Sequence, residues 1–376
     1  MNYMLRLAFC TLIAASSARA ERVVQSAEHT FRVETFASGL GIPWGMAFLP
    51  DGRLLVTERE GRLRIVGTDG AVSPPVGGVP KVLAKGQGGL MDATLHPQYA
   101  ATGWIYLSYS DPLPGPLGGM LSYTAISRGR LQEEQLVDVE VVYRAPDQFY
   151  TRHSHHYGSR IAFDRAGYLY LAIGDRGQRT LAQNVKLPNG KIHRLHDNGG
   201  VPTDNPFVGR DGAIASIWSY GHRNPQGMAL HPETGQLWAA EHGPKGGDEL
   251  NLVRRGLNYG WPVVTYGINY DGTPITDQTH ADGMEQPQTY WVPSIAVCGM
   301  DFYTGKPFVN WQNDLLVTSL RFNRLHRLRL AGTKVVHEEI VYQGESRMRD
   351  VQTGPDGAVY LAVEDPGRVL RLVPVE

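Results

Sequence analysis

The stretch Gly39–Gly70, GLGIPWGMAFLPDGRLLVTEREGRLRIVGTDG, holds three apolar segments of strand length, followed in turn by Asp-Gly, Glu-Gly and Asp-Gly. Glycine after a short polar residue supplies the positive φ that tight turns need, so the stretch reads as strand, turn, strand, turn, strand. Related units return along the chain. They are HPQYAATGWIYLSYS from His96, FDRAGYLYLAIGD from Phe163, HPETGQLWAAEHG from His231, WQNDLLVTSLRFNRLHRLRL from Trp311 and GPDGAVYLAVEDPGRVLRLV from Gly354. With the first, that makes six weakly similar units at uneven spacing, and insertions account for the unevenness. Sustained helical periodicity is scarce. A large β-sandwich or β-helix would also use many strands, but repeated strand–turn–strand units predict an all-β, six-bladed β-propeller of four-stranded antiparallel blades with long inserted loops. Three segments read as those loops: Asp111–Met120, Lys191–Arg210 and Tyr266–Gln286.

Residues 1–20 carry Arg6, an apolar run over Leu7–Ala15 and Ala18-Arg19-Ala20 before Glu21, the pattern of a secretory leader. The remainder, 21–376, reads as one domain exported to the periplasm. Of the two cysteines, Cys10 falls in the leader, leaving Cys298 without an intramolecular partner. The net charge of −1 is built from dispersed charges of both signs, with no basic stripe, which argues against nucleic acid as a partner. No second long apolar segment follows the leader.

The polar segments are distinctive. TRHSHHYGSR, Thr151–Arg160, brings His153, His155 and His156 to the edge of an apolar strand. Neutral imidazole is available near pH 7, and His156, nearest the strand, is the preferred base, with His155 orienting it or touching a ligand. Gln87 lies in a glycine-rich turn, AKGQGGLMD. Arg223 and Asn224 in SYGHRNPQGMALHP pair a planar cation with an amide, suited to a quinone or carboxylate edge. In EHGPKGGDELNLVRRGLNYGWP, the carbonyls of Gly243, Pro244 and Tyr259 and the Glu249 carboxylate are candidate calcium ligands, since calcium takes oxygen donors, including main-chain ones. Neither C-x-x-C nor H-E-x-x-H occurs, which disfavours zinc. Arg347 and Arg349 alternate in SRMRDV and share one face of an extended segment; with Arg321 they would suit a multiply anionic ligand.

Taken together, GQGGLMD, SHHYGSRIAFD, SYGHRNPQGMALHP, EHGPKGGDELNLV with GLNYGWP, PSIAVCGMDFY and SRMRDVQTGPDG resemble the pyrroloquinoline-quinone (PQQ)-dependent glucose/sorbosone dehydrogenases, in particular the aldose sugar dehydrogenase branch. The resemblance spans nearly the whole chain after the leader. It implies a six-bladed propeller with PQQ over one end of the axis. His156 is then the general base, and Gln87, Arg223 and Asn224 touch the quinone or polarise its carbonyl. Gly243 and Pro244 would hold the calcium beside it, and Arg321, Arg347 and Arg349 form its cationic side. Glu249 and Tyr259 resemble a second, structural calcium site. Three positions depart from the glucose-specific pattern: Arg321 stands where lysine is usual, His155 where aspartate precedes the base, and Cys298 lies in a variant of PSIAPSGM.

The implied activity is oxidation of an aldose mono- or disaccharide at the anomeric carbon to an aldonolactone. Electrons would pass to an unidentified external acceptor, in a monomer or homodimer. A calcium-dependent sugar lactonase or a non-enzymatic periplasmic binding propeller would share the fold, but neither uses the combined histidine, calcium and arginine pattern.

Overall fold

The computed structural model describes residues 22–375; the leader expected over residues 1–20 lies outside them. Six antiparallel sheets form blades around a channel. Blade 1 is Pro43–Phe48, Leu54–Glu58 and Arg62–Val66. Blade 2 is Leu90–Leu95, Trp104–Pro114, Met120–Gln132 and Gln135–Arg144. Blade 3 is Ile161–Phe163, Leu169–Ile173, Lys191–Leu195 and Ile217–Tyr220. Blade 4 is Pro225–Leu230, Leu237–Glu241, Asp248–Val253 and Thr289–Trp291. Blade 5 is Val297–Phe302, Leu315–Ser319, Arg324–Ala331 and Lys334–Gln343. Blade 6 is Met348–Thr353, Val359–Val363 and Gly367–Pro374, completed by Thr30–Leu40 and Arg22–Gln25 from the start of the described chain. The first strand of each blade contacts the first strand of the next, and Met348–Thr353 returns to Pro43–Phe48, so the ring closes. Among the described residues no helix is long and apolar enough to cross a membrane.

Two blades depart from four strands, each for its own reason. In blade 6, Thr30–Leu40 pairs with Gly367–Pro374 and fastens the two ends of the chain, and Arg22–Gln25 adds a fifth strand. In blade 1 the fourth place is taken by an irregular segment. Ser73 and Val76 donate to Ile65 and Leu63 at 2.8 Å each, but Pro74 and Pro75 between them have no N–H to continue a ladder. The loop expected over Asp111–Met120 is instead the tip of a long hairpin, because Trp104–Pro114 stays paired with Met120–Gln132 to its end. Gly115 donates to Gly119, so Pro112 and Pro114 fall on alternate positions whose nitrogens face away from the partner strand. The first five residues of the expected 191–210 loop form a fully buried strand. Residues 266–286 contain no strand, as expected.

Hydrophobic packing joins neighbouring blades. Trp238, Leu250 and Trp291 of blade 4 pack against Val297, Met300, Phe302 and Leu315 of blade 5, with Trp238 and Leu315 fully excluded from solvent. In the channel, the position three residues before the end of each inner strand holds Gly45, Asp92, Arg160, Gly227, Gly299 and Asp350 in turn. Arg160 spans this layer. Its Nη1 lies 3.0 Å from both Asp92 Oδ1 and Asp350 Oδ1, and its guanidinium sits 4.4 Å above the Trp44 ring. The glycines make room for it: a Cβ on Gly299 would stand 2.2 Å from Asp350 Oδ1, and one on Gly45 would stand 2.8 Å from Asp92 Oδ1. A 290 Å³ space lined by Met46, Met228 and Met300 lies beyond this buried ionic floor. Trp44, Gln226 and Arg349, one residue earlier on their strands, face the opposite end.

Candidate active site

His156 enters the site from the segment before blade 3. Its φ is +55°, a left-handed conformation uncommon outside glycine. Surrounding bonds fix it there. Its N–H donates to Gln87 Oε1 at 2.7 Å, and its Nδ1 lies 2.6 Å from Asp175 Oδ1. Two residues on, Gly158 holds φ +64°, and a Cβ there would meet Ala172 O at 2.6 Å. The Gly158 N–H donates to Asn224 Oδ1 at 3.0 Å, which ties the histidine segment to blade 4.

Asp175 was not singled out in the sequence, yet it is the group that holds the His156 ring. It lies just past the end of Leu169–Ile173 and is 1 % exposed. Its Oδ1 also accepts Gly177 N–H at 2.7 Å, and its Oδ2 accepts Trp261 Nε1–H at 2.8 Å. Burial raises the Asp175 carboxyl, but the His156 bond and the Arg223 charge outweigh it, so its pKa lies below the usual carboxylate value. His156 is lowered from the ordinary histidine value, first by burial and then by Arg223, against the pull of Asp175. The imidazole is therefore neutral at pH 7, and with Nδ1 engaged, Nε2 is the nitrogen left to accept a proton. The orienting role does not fall to His155. The His155 ring meets His156 edge-on at 5.1 Å, and its carbonyl accepts Arg176 Nη1 at 2.6 Å.

A 450 Å³ cavity is lined by Gln87, His155, His156, Asp175, Arg223, Pro244 and Trp261, with Asn269 and Tyr270 from the long loop at its edge. Arg223 is buried. It donates to His242 O at 3.0 Å, lies 5.4 Å from the Trp261 ring centre and pairs with no carboxylate among the described residues. A buried cation of this kind, facing a cavity, fits an anionic guest. Asn224 is buried, and its Oδ1 holds the histidine segment through Gly158 N–H. A smaller adjoining cavity of 50 Å³ shares Gln87 and adds Trp44, His242, Arg347 and Arg349.

Arg347 and Arg349 do share a face, and both meet Glu364. Arg347 Nε lies 3.1 Å from its carboxylate, and Arg349 Nε donates to it at 2.9 Å. Arg349 is buried, with Nη1 3.6 Å from Cys298 Sγ, whereas Arg347 is about half exposed. Arg321 is exposed, its Nη1 3.4 Å from Ser294 O and its guanidinium over Phe322.

The candidate calcium ligands fall in two places. Pro244 is on the large cavity. Gly243, Glu249 and Tyr259 line a separate space of about 10 Å³, enough for one water-sized particle, together with Glu241, Arg223 and Trp261. Among the described residues, no three His, Cys, Asp or Glu side chains group to hold a metal ion, so main-chain oxygens would have to supply much of any coordination. Glu249 is pushed up to about 8, chiefly by burial and then by Glu241. It accepts only Asn251 Nδ2, at 3.1 Å, and has no cationic partner among the described residues. An acid raised this way fits a cation that would take the place of its proton.

Comparison with known proteins agrees with the geometry. The chain is 42 % identical over 370 residues to the aldose sugar dehydrogenase YliI of Escherichia coli (strain K12), covering 96 % of this chain and 97 % of that one. It is 27 % identical to the quinoprotein glucose dehydrogenase B of Acinetobacter calcoaceticus, over 90 % of this chain and 86 % of that one. Among solved structures it matches the apo-form of the E. coli aldose sugar dehydrogenase with a TM-score of 0.86 at 41 % identity, over 92 % of this chain and all of that one. It matches the PQQ-bound aldose sugar dehydrogenase of Streptomyces coelicolor with a TM-score of 0.74 at 29 % identity, over 96 % of this chain and all of that one. The profile of the Glucose / Sorbosone dehydrogenase family matches residues 40–371, and the chain belongs to that family.

Proposed function

We propose that this protein is a PQQ- and calcium-dependent aldose dehydrogenase. It would oxidise aldoses at the anomeric carbon to aldonolactones and deliver the electrons to an external acceptor. The observation that carries this reading is the His156–Asp175 pair opening on the same cavity as Arg223, which has no carboxylate partner among the described residues. Membership of the family and the PQQ-bound relative from S. coelicolor support it. The leader pattern supports action in the periplasm, with residues 21–376 as the catalytic domain.

His156 Nε2 takes the proton from the anomeric hydroxyl. Asp175 holds the imidazole in the tautomer that leaves Nε2 free and stabilises the imidazolium that forms. Loss of that proton, together with a hydride from the same carbon, converts the hemiacetal to a lactone. The quinone, when bound, would supply the two-electron acceptor, and calcium beside it would supply Lewis-acid polarisation. Gln87, Arg223, Asn224, Arg347 and Arg349 would hold the quinone, with His155 at its edge and Arg321 on the outer cationic side. Gly243 and Pro244 would offer carbonyls to the calcium beside it, and Glu249 and Tyr259 would serve a second, structural calcium. Arg223 is placed to stabilise negative charge developing in the cavity.

The test loads the exported form with calcium and PQQ and follows reduction of an electron-accepting dye on adding glucose and other aldoses. Dye reduction should require both quinone and sugar. His156→Ala should abolish most turnover while retaining the quinone, and Arg223→Ala should weaken both quinone binding and rate. A folded, quinone-loaded protein that reduces no dye with any aldose would overturn the proposal.

A further inference from the structure

Trp261 is the residue at which the separate parts of the site meet. It arises in the segment after blade 4's third strand, far in sequence from the histidine segment, and is buried. Its own N–H donates to Gly221 O at 2.9 Å, and its carbonyl accepts Gln183 Nε2 at 2.8 Å, so its backbone is held from two sides. Its indole Nε1–H reaches Asp175 Oδ2 at 2.8 Å, and its ring lies 5.4 Å from the Arg223 guanidinium. It also forms part of the wall between the 450 Å³ cavity and the small space beside Glu249.

We infer that Trp261 is a positioning residue for the proposed reaction. It fixes the plane of the Asp175 carboxylate so that Oδ1 faces His156, and it keeps Arg223 beside that pair. The inference rests on the reading of His156 as the base. Among the described residues the carboxylate receives three donors, His156 Nδ1–H and Gly177 N–H on Oδ1 and the indole on Oδ2. The first two converge on one oxygen, so the indole alone anchors the other. Without it the carboxylate is free to turn about its Cβ–Cγ bond, a broad torsion with little intrinsic preference. The charge otherwise shared with the indole would then fall on the His156 bond. Asp175, Arg223, His155 and His242 are the charged or titratable groups that act on His156, and Trp261 contacts the first two directly.

The test uses Trp261→Phe, which keeps an aromatic ring at the position but removes the N–H together with part of the indole. A second variant carries 3-benzothienylalanine at position 261, an isostere with sulfur in place of the N–H, in case the smaller ring disturbs folding. Two readouts are taken. The first is the downfield proton resonance of His156 Nδ1–H in quinone-free protein, identified by its loss in His156→Ala. The second is steady-state turnover of glucose by protein saturated with calcium and PQQ. The expected result is a displaced resonance and a kcat lowered about tenfold or more, the scale of one hydrogen bond to a charged group, with KM changed by less than about twofold. An unmoved resonance overturns the inference, as does an unchanged kcat, or a kcat loss that disappears at saturating quinone. If the parent protein oxidises no aldose, the functional proposal has failed, and the resonance alone still decides whether Trp261 positions the pair.

Discussion

Replacing Asp175 by asparagine removes one charge and almost no volume, and the surroundings of this side chain allow the consequence to be worked out. Asp175 accepts His156 Nδ1–H and Gly177 N–H on one oxygen and Trp261 Nε1–H on the other. Asparagine has one accepting oxygen. With that oxygen toward His156, its NH2 faces the indole N–H, donor against donor. With the amide turned over, the NH2 faces Gly177 N–H, and His156 must shift its proton to Nε2 to accept at Nδ1. The first arrangement keeps the useful tautomer, whereas the second disables the base outright. Either leaves a buried donor unmet, at a cost of about 1–3 kcal/mol of stability. In both, the imidazolium that forms on proton transfer loses its counter-charge. At about 4 Å and an effective dielectric constant near 20, that loss is about 4 kcal/mol, or roughly a thousandfold in rate. Asp175→Asn should therefore retain quinone and fold, with a lower Tm, and show a kcat for glucose reduced by about two to four orders of magnitude. Stopped-flow dye reduction with calcium- and PQQ-saturated protein measures the rate, and differential scanning fluorimetry measures the stability. A fully loaded variant within about tenfold of the parent kcat would refute Asp175 as the partner of the base.

Three further outcomes follow from the same geometry. As the proposed base, His156 would have to be neutral to act, and burial with Arg223 holds its pKa below the ordinary value, so kcat/KM should fall only as the pH drops below about 6.5; a pH–rate profile whose acid limb lies at or above about pH 7 would contradict this. Arg160→Ala should destabilise the protein by about 3–5 kcal/mol in urea titrations, because it leaves Asp92 and Asp350 buried without their cation. The loss should be greater at pH 8 than at pH 5, since Asp350, already pushed up to about 7 chiefly by burial, can take a proton at the lower pH and relieve the charge; a loss under about 1 kcal/mol would show that the ionic floor carries little of the stability. Calcium should raise the Tm of the quinone-free protein, as any ligand bound only by the folded state does, and Glu249→Gln should shrink that rise; an undiminished rise would place the ion away from Glu249.

The fold was legible because the sequence repeats its turn chemistry. Asp-Gly and related pairs recur between apolar segments, and each inner hairpin of a blade follows from its own few residues. What stayed hidden depended on pairing at a distance. Blade 6 draws its fourth and fifth strands from the start of the described chain, which no local pattern announces. Lys191–Leu195 looked like loop because it carries two cations and a histidine. The structure buries Lys191 by giving its ammonium three carbonyl partners, those of Leu181, Ala182 and Asn189. Composition does not reveal that kind of satisfaction, since the acceptors are main-chain atoms.

The site divides along the same line. His156, Arg223 and Gln87 were recognisable from their types and settings, and the fold brings all three to one cavity. Asp175 was passed over because it closes a strand that looked purely structural. Its signal was present, but only in comparison between blades. Second strands end on or just before Glu58 in blade 1, Asp175 in blade 3, Glu241 in blade 4 and Glu364 in blade 6. In the structure each of these acids holds a group at the same end of the channel. Glu58 takes Gly41 N–H, Asp175 takes His156, Glu241 takes Arg223 N–H and His222, and Glu364 takes Arg347 and Arg349. The propeller thus repeats one device, an acid at the second strand's end that fixes what stands beside it, and the proposed chemistry arises where the group it fixes is a histidine facing open space. On that view, Glu364 plays toward Arg347 and Arg349 the part that Asp175 plays toward His156. The two arginines are then not a free pair awaiting an anion but a pre-set edge of the cavity, and their positive charge toward a guest is already tempered by the carboxylate behind them.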